Sequence, residues 1–177
     1  MRRSIAAASL VVGLVAALSV PLPASADQSG TTPVTLSITT GTIDITVPTG
    51  PVSLGTVAAS SSPQTVSAQL GNVTVTDSRG GTTGWVVTAN GVDFTGPQSI
   101  SVSAPGSSSY NTPSATVTGN AIVTASNLEP LYPPGPVQTA TSVSGINTAV
   151  WNPTISVTIP ADALAGTYSS TITHSVA

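Results

Sequence analysis

Apolar side chains recur along this chain at every second position, over short runs broken by glycine, proline and asparagine. Leu36 and Ile38 alternate with threonine and serine, as do Ile43, Ile45 and Val47. Val73 and Val75, then Trp85, Val87 and Ala89, then Ile155, Val157 and Ile159 repeat the pattern. Tyr168 and Ile172 close the series. A period of two places alternate side chains on one buried face of a strand, and β-branched residues suit that pleated surface. Turn-forming clusters punctuate the runs: Pro48-Thr49-Gly50-Pro51, Ser78-Arg79-Gly80-Gly81, Asn90-Gly91 and Ser103-Ala104-Pro105-Gly106. Many short strands with such punctuation predict an all-β fold, a single antiparallel β-sandwich of immunoglobulin-like or related type.

Helical spacing is absent beyond the N-terminal segment. Pro160 to Ala165 offers at most one helical turn, with proline preset for its start. Leu128 to Val137 holds four prolines and reads as a stiff surface loop. Ala165-Gly166-Thr167-Tyr168 resembles the tyrosine corner of immunoglobulin-like sandwiches, in which the ring enters the core and the hydroxyl bonds upstream backbone. The alternative is an ordinary core tyrosine. Either reading puts Tyr168 inside.

The first 26 residues follow a different rule. Met1-Arg2-Arg3 is basic, Ser4 to Val20 is almost wholly apolar, and Ala24-Ser25-Ala26 supplies small residues. That order is a secretory signal peptide. The apolar run falls short of the ~20 residues that span a bilayer, so a lasting membrane anchor is the weaker reading. The expected domain is residues 27–177, secreted and held at the cell surface.

Charge then narrows the partners. Residues 27–177 hold one cation, Arg79, against six carboxylates, a net charge near −5. Such a surface cannot neutralise phosphates, which excludes nucleic acid and disfavours anionic wall polymers and lipid headgroups. About a third of these residues are serine or threonine, so hydroxyls rather than charges keep the surface wet. Cysteine is absent, so no disulfide is available.

Catalytic chemistry is thinly supplied. His174 is the single histidine and would have to serve as the base of any triad. With one histidine and no cysteine a structural zinc site is nearly excluded, and no metal or cofactor is implied. Asp77 and Asp93 are candidate paired carboxylates, but nothing in their spacing joins them. Asp77-Ser78-Arg79-Gly80 is a turn in which Arg79 either pairs with Asp77 structurally or binds a ligand. Trp85 shares the parity of Val87 and reads as core. Trp151, followed by Asn152-Pro153, is the better candidate for an exposed plate on which a sugar ring stacks.

Several stretches together resemble a family. Val52-Ser53-Leu54-Gly55, Gln69 to Gly80, Gly84-Trp85-Val86-Val87, Trp151-Asn152-Pro153 and Gly166-Thr167-Tyr168 are similar, in order, to the WxL domain. The resemblance implies a secreted β-rich domain of Gram-positive bacteria that attaches non-covalently to the cell wall. The lack of lysine suits a divergent, actinobacterial member. Both Trp-x-Leu motifs are altered here, to Trp-Val-Val and Trp-Asn-Pro. The expected function is binding of peptidoglycan or a similar neutral polymer, with Trp151, Trp85, Arg79 and Asp77 as the candidate ligand-binding residues. The rival is a structural or assembly subunit whose partners are other surface proteins. A carbohydrate-active enzyme stands third. On the signal-peptide reading, N-terminal sequencing of the exported protein begins at Asp27; intact Met1 in a membrane fraction would overturn it.

Overall fold

The computed structural model describes residues 29–177. The signal-peptide reading of residues 1–26 lies outside them. Contacts divide the chain into Met1–Ser37 and Ile38–Ala177. In the first unit, residues 29–37 are exposed and belong to no strand.

In the second unit nine strands run β1 (Ile43–Thr46), β2 (Gln64–Gln69), β3 (Val73–Asp77), β4 (Trp85–Gly91), β5 (Ser108–Asn111), β6 (Thr116–Ala125), β7 (Gly135–Trp151), β8 (Thr154–Ile159) and β9 (Ile172–Val176). No helix occurs among the described residues. The fold is all-β, as the alternation predicts. One sheet has the order β1-β3-β7-β4-β9 with β6 also on β7; the other has the order β2-β8-β5. Every strand pairing is antiparallel. The ends of the larger sheet, β1 and β9, approach one another, so that sheet is nearly closed.

The 17-residue β7 organises the larger sheet. Its first half pairs with β4 and its second half with β3, while β6 follows it on both halves. A strand that long must bend to serve two neighbours. The bend is visible at Ser142 and Gly145, whose φ values are 52° and 76°. Opposite it, the β6 register shifts on either side of Asn120. Gly119 adopts φ 89°, and a Cβ there would run into the Ile146 carbonyl oxygen. A bulge of this kind adds local twist without ending the pairing.

The core takes Val73, Val75, Trp85, Val87, Ala89, Val137, Ala140, Ala149 and Trp151 from the larger sheet, and Tyr110 and Ile155 from the smaller. Burial alternates strictly at the start of β4, from Trp85 to Ala89, which is the period-two rule made physical. Several expectations need correction. Leu36 and Ile38 lie in no strand and are 88% and 89% exposed; among the described residues no strand pairs with their backbone. Pro160 to Ala165 forms a turn, not a helical one, with Asp162 at φ 58°.

Leu128 to Val137 is not a surface loop. Leu131 is fully buried, and Gly135 already belongs to β7. The buried backbone of Leu131 is satisfied on both sides: its N–H donates to Ser108 Oγ at 3.0 Å, and its carbonyl accepts from Gly91 N–H at 2.9 Å. That pairing is what allows an irregular segment to enter a core. Tyr168 is half-buried and precedes β9 instead of opening it, so only the hydroxyl half of the tyrosine-corner expectation is present.

Two substitutions test this packing. Trp85→Ala removes a 2% exposed indole and is expected to cost about 3–5 kcal/mol. Gly119→Ala combines a left-handed backbone with a steric collision and is expected to cost about 1–3 kcal/mol. Unchanged denaturation midpoints for both would rule out the arrangement.

Candidate functional site

The four residues singled out from the sequence fall into two buried polar networks. Asp77 ends β3, is 1% exposed, and is gripped by Arg79. Arg79 Nε donates to Asp77 Oδ1 at 2.8 Å and Nη2 to Oδ2 at 2.9 Å, and the Arg79 backbone N–H adds a third bond at 3.1 Å. Nη2 also reaches the carbonyls of Thr83 and Gly84, at 3.1 and 3.2 Å. From the other side Asn147 Nδ2 donates to Asp77 Oδ2 at 3.3 Å, and Asn147 Oδ1 accepts the Trp85 indole N–H at 3.1 Å. The Arg79 side-chain hydrogen bonds, foremost, hold the Asp77 carboxyl below its ordinary 3.8. This arrangement clamps the β3–β4 turn. It has the geometry of a structural ion pair, with both Asp77 carboxylate oxygens buried and engaged within the chain. Asp93 takes no part: its Oδ1 accepts the Val102 N–H at 2.9 Å.

Trp151 requires a correction. It is 3% exposed, not a free plate for a sugar ring. It closes β7 opposite Val73, on the same inward parity as Ala149. Its indole N–H donates to Tyr110 Oη at 3.4 Å, and Tyr110 Oη lies 2.8 Å from His174 Nε2. An indole N–H can only donate, so Tyr110 Oη accepts it, and the same oxygen shares a second hydrogen bond with His174 Nε2. The two rings meet edge-on at 5.6 Å. Burial pushes the Tyr110 hydroxyl pKa up and brings that of His174 down from 6.5 to about 4. Trp85 and Trp151 are thus both core residues, each with its one polar atom satisfied.

The concave surface lies elsewhere. Two hollows of about 580 Å³ each have Val52, Phe94 and Tyr168 in common, and so lie side by side. The first lies against β2 and β8, with Val66, Val157 and Ile159, beneath the irregular segment 52–60. The second is bounded by Val47 to Val52, Leu70, Ile155 and the segment from Tyr168 to Ile172, with His174 beside it. Neither hollow is lined by Asp, Glu, Lys or Arg.

Its two aromatic side chains are fixed by their surroundings. Phe94 exchanges backbone hydrogen bonds with Ile100 at 2.9 and 3.0 Å. Tyr168 donates its hydroxyl to the Leu164 carbonyl at 2.8 Å, and its ring packs on Gly96 where no Cβ fits. The result is a neutral trough of aliphatic, aromatic and hydroxyl groups, suited to an uncharged ligand with apolar faces. Sequence reasoning named Tyr168 only as core and missed Phe94. The one local signal was the run Val52 to Ala59, apolar in part yet without strand alternation. Among the described residues no three His, Asp or Glu side chains gather where a metal ion could sit.

Burial of the His174 imidazole makes stability depend on pH. The folded imidazole stays neutral down to about pH 4, whereas the unfolded chain takes up its proton near 6.5. The unfolded state therefore binds more protons within that window, and stability falls as pH drops from 6.5 toward 4. Asp77 adds a further loss only below its ordinary 3.8. Urea midpoints of the native protein are expected to decline across pH 6.5 to 4, and those of His174→Gln to stay flatter there. Equal slopes for the two would remove the buried-imidazole account.

Against known proteins, no family model matches the chain, no curated protein matches it, and no solved structure matches it.

Proposed function

We propose that the protein is an exported, non-catalytic module of the bacterial cell surface that binds peptidoglycan or a similar neutral wall polymer. The resemblance to the WxL domain supports that setting, and the uncharged trough around Phe94 and Tyr168 is the observation that carries the binding. A glycan offers hydroxyls and flat C–H faces, for which aromatic rings and hydroxyl side chains are suitable partners. Binding then runs through the trough and not through Trp151 or Trp85, which support it from within the core. A non-catalytic reading is supported by the engagement of the reactive groups: His174 with Tyr110, Asp77 with Arg79, and Asp93 with the Val102 amide. The second reading, an assembly subunit of a surface complex, is favoured by one separate observation. Val34, Leu36 and Ile38 follow a strand pattern yet are almost wholly exposed.

Sedimentation with purified peptidoglycan tests the first reading. The protein is expected to pellet with the polymer, with little change between low and physiological salt, because no charged group lines the trough. Thr56→Trp, which fills the trough from an exposed position, is expected to reduce the bound fraction at unchanged stability. Absence of binding by the folded protein, or binding that Thr56→Trp leaves intact, would overturn the proposal.

A further inference from the structure

The segment from Val34 to Thr40 has the sequence pattern of a strand but joins no sheet. Its apolar residues alternate with hydroxyls, as in β8, and it contains no charge and no proline. Yet Val34, Leu36 and Ile38 are 90%, 88% and 89% exposed, and the residues belong to no strand. Three large apolar side chains on one parity, left in water, are costly to keep there. The same chain carries an opposite vacancy. β6 pairs with β7 along one edge, and among the described residues no strand pairs with its other edge.

That open edge is poorly guarded. The ten residues of β6 include no charge and no proline, the usual devices against edge pairing. The one device present is the bulge around Asn120, which leaves Ile122 to Ala125 in regular register with β7. On the inward parity, Val117 and Val123 are only partly buried although they pack against the core, and so is Ala121 within the bulge. A strand added beside β6 would lay Val34, Leu36 and Ile38 along this unfinished flank and leave Thr35, Ser37 and Thr39 in solvent. Alternation on the free segment matches alternation on the edge.

We infer that Val34–Thr40 of one copy of this chain adds as a strand to the outer edge of β6 in a second copy. Main-chain hydrogen bonds supply the attraction, and the apolar face of the added strand fixes its register. The contact joins two different surfaces, so it is heterologous and is not confined to a two-fold pair. The inference rests on the assembly reading and does not involve the trough.

The test uses protein purified from cells expressing the full chain. Sedimentation velocity is expected to show oligomers that grow with concentration, and Leu36→Asp to move association to at least tenfold higher concentration. Leu36 is exposed, so the circular dichroism and melting of that variant are expected to be unchanged. The chain has no cysteine, which makes oxidative cross-linking clean. Mixing Thr35→Cys with Thr124→Cys protein is expected to give a disulfide between copies. Oligomers that survive Leu36→Asp would overturn the strand exchange while leaving an assembly role intact, and monomers at every concentration would overturn both. Cross-links only between Thr35→Cys copies, or only within one chain carrying both cysteines, would also overturn it.

Discussion

The backbone of β7 is the constraint on which the rest of the larger sheet depends. Its 17 residues offer hydrogen bonds on both edges, to β6 along one and to β4 and then β3 along the other. The two buried tryptophans stand at positions this strand defines: Trp151 is its last residue, and Trp85 pairs with Ala140 within it. Asn147, which accepts the Trp85 indole N–H and donates to Asp77, is also a β7 residue. Residues far apart in sequence are thereby brought into one polar network. The bend at Ser142 and Gly145 lets one strand serve two neighbours, and the Gly119 bulge lets β6 follow it.

A chain with so few charges must satisfy its interior with neutral groups. Each buried indole shows how. Trp85 bonds an amide and Trp151 a phenol, and both partners are held in turn by a second polar side chain. Networks of this kind stabilise only when nearly complete, since a buried donor left alone costs about 1–3 kcal/mol. Arg79, the one cation of the described residues, is spent on the β3–β4 turn. The trough holds neither that cation nor any carboxylate.

The strands that alternation revealed are those whose inward positions are large and apolar: β1, β3, β4 and β8. β2, β5, β6 and most of β7 escaped notice because serine, threonine, glycine, alanine, asparagine and glutamine occupy many inward places. Gln138, Asn147 and Ser108 are almost wholly buried, and no hydrophobicity pattern reports such residues. Leu36 and Ile38 erred the other way, for local pattern specifies a strand but not whether a partner exists for it. At the candidate site, the parity argument placed Trp85 correctly. The Asn152-Pro153 turn after Trp151 masked the same argument there. The trough was illegible because it forms between segments distant in sequence, and only the fold brings Phe94 beside Tyr168.

The strand pairings also set an order in time. Of all of them, only β1 with β3 can form before β7, β8 or β9 exists. While the first 130 or so residues emerge, β2, β4 and β6 have no partner strand, β5 has only the Tyr110–Leu128 bridge, and Trp85 lacks Ala140 and Asn147, its partners on β7. Pairings of such long sequence separation make folding slow, because the chain must close wide loops before any contact rewards it. A polypeptide that stays open until its last quarter is synthesised is one that can be threaded through a narrow pore as an unfolded thread and collapse on the far side.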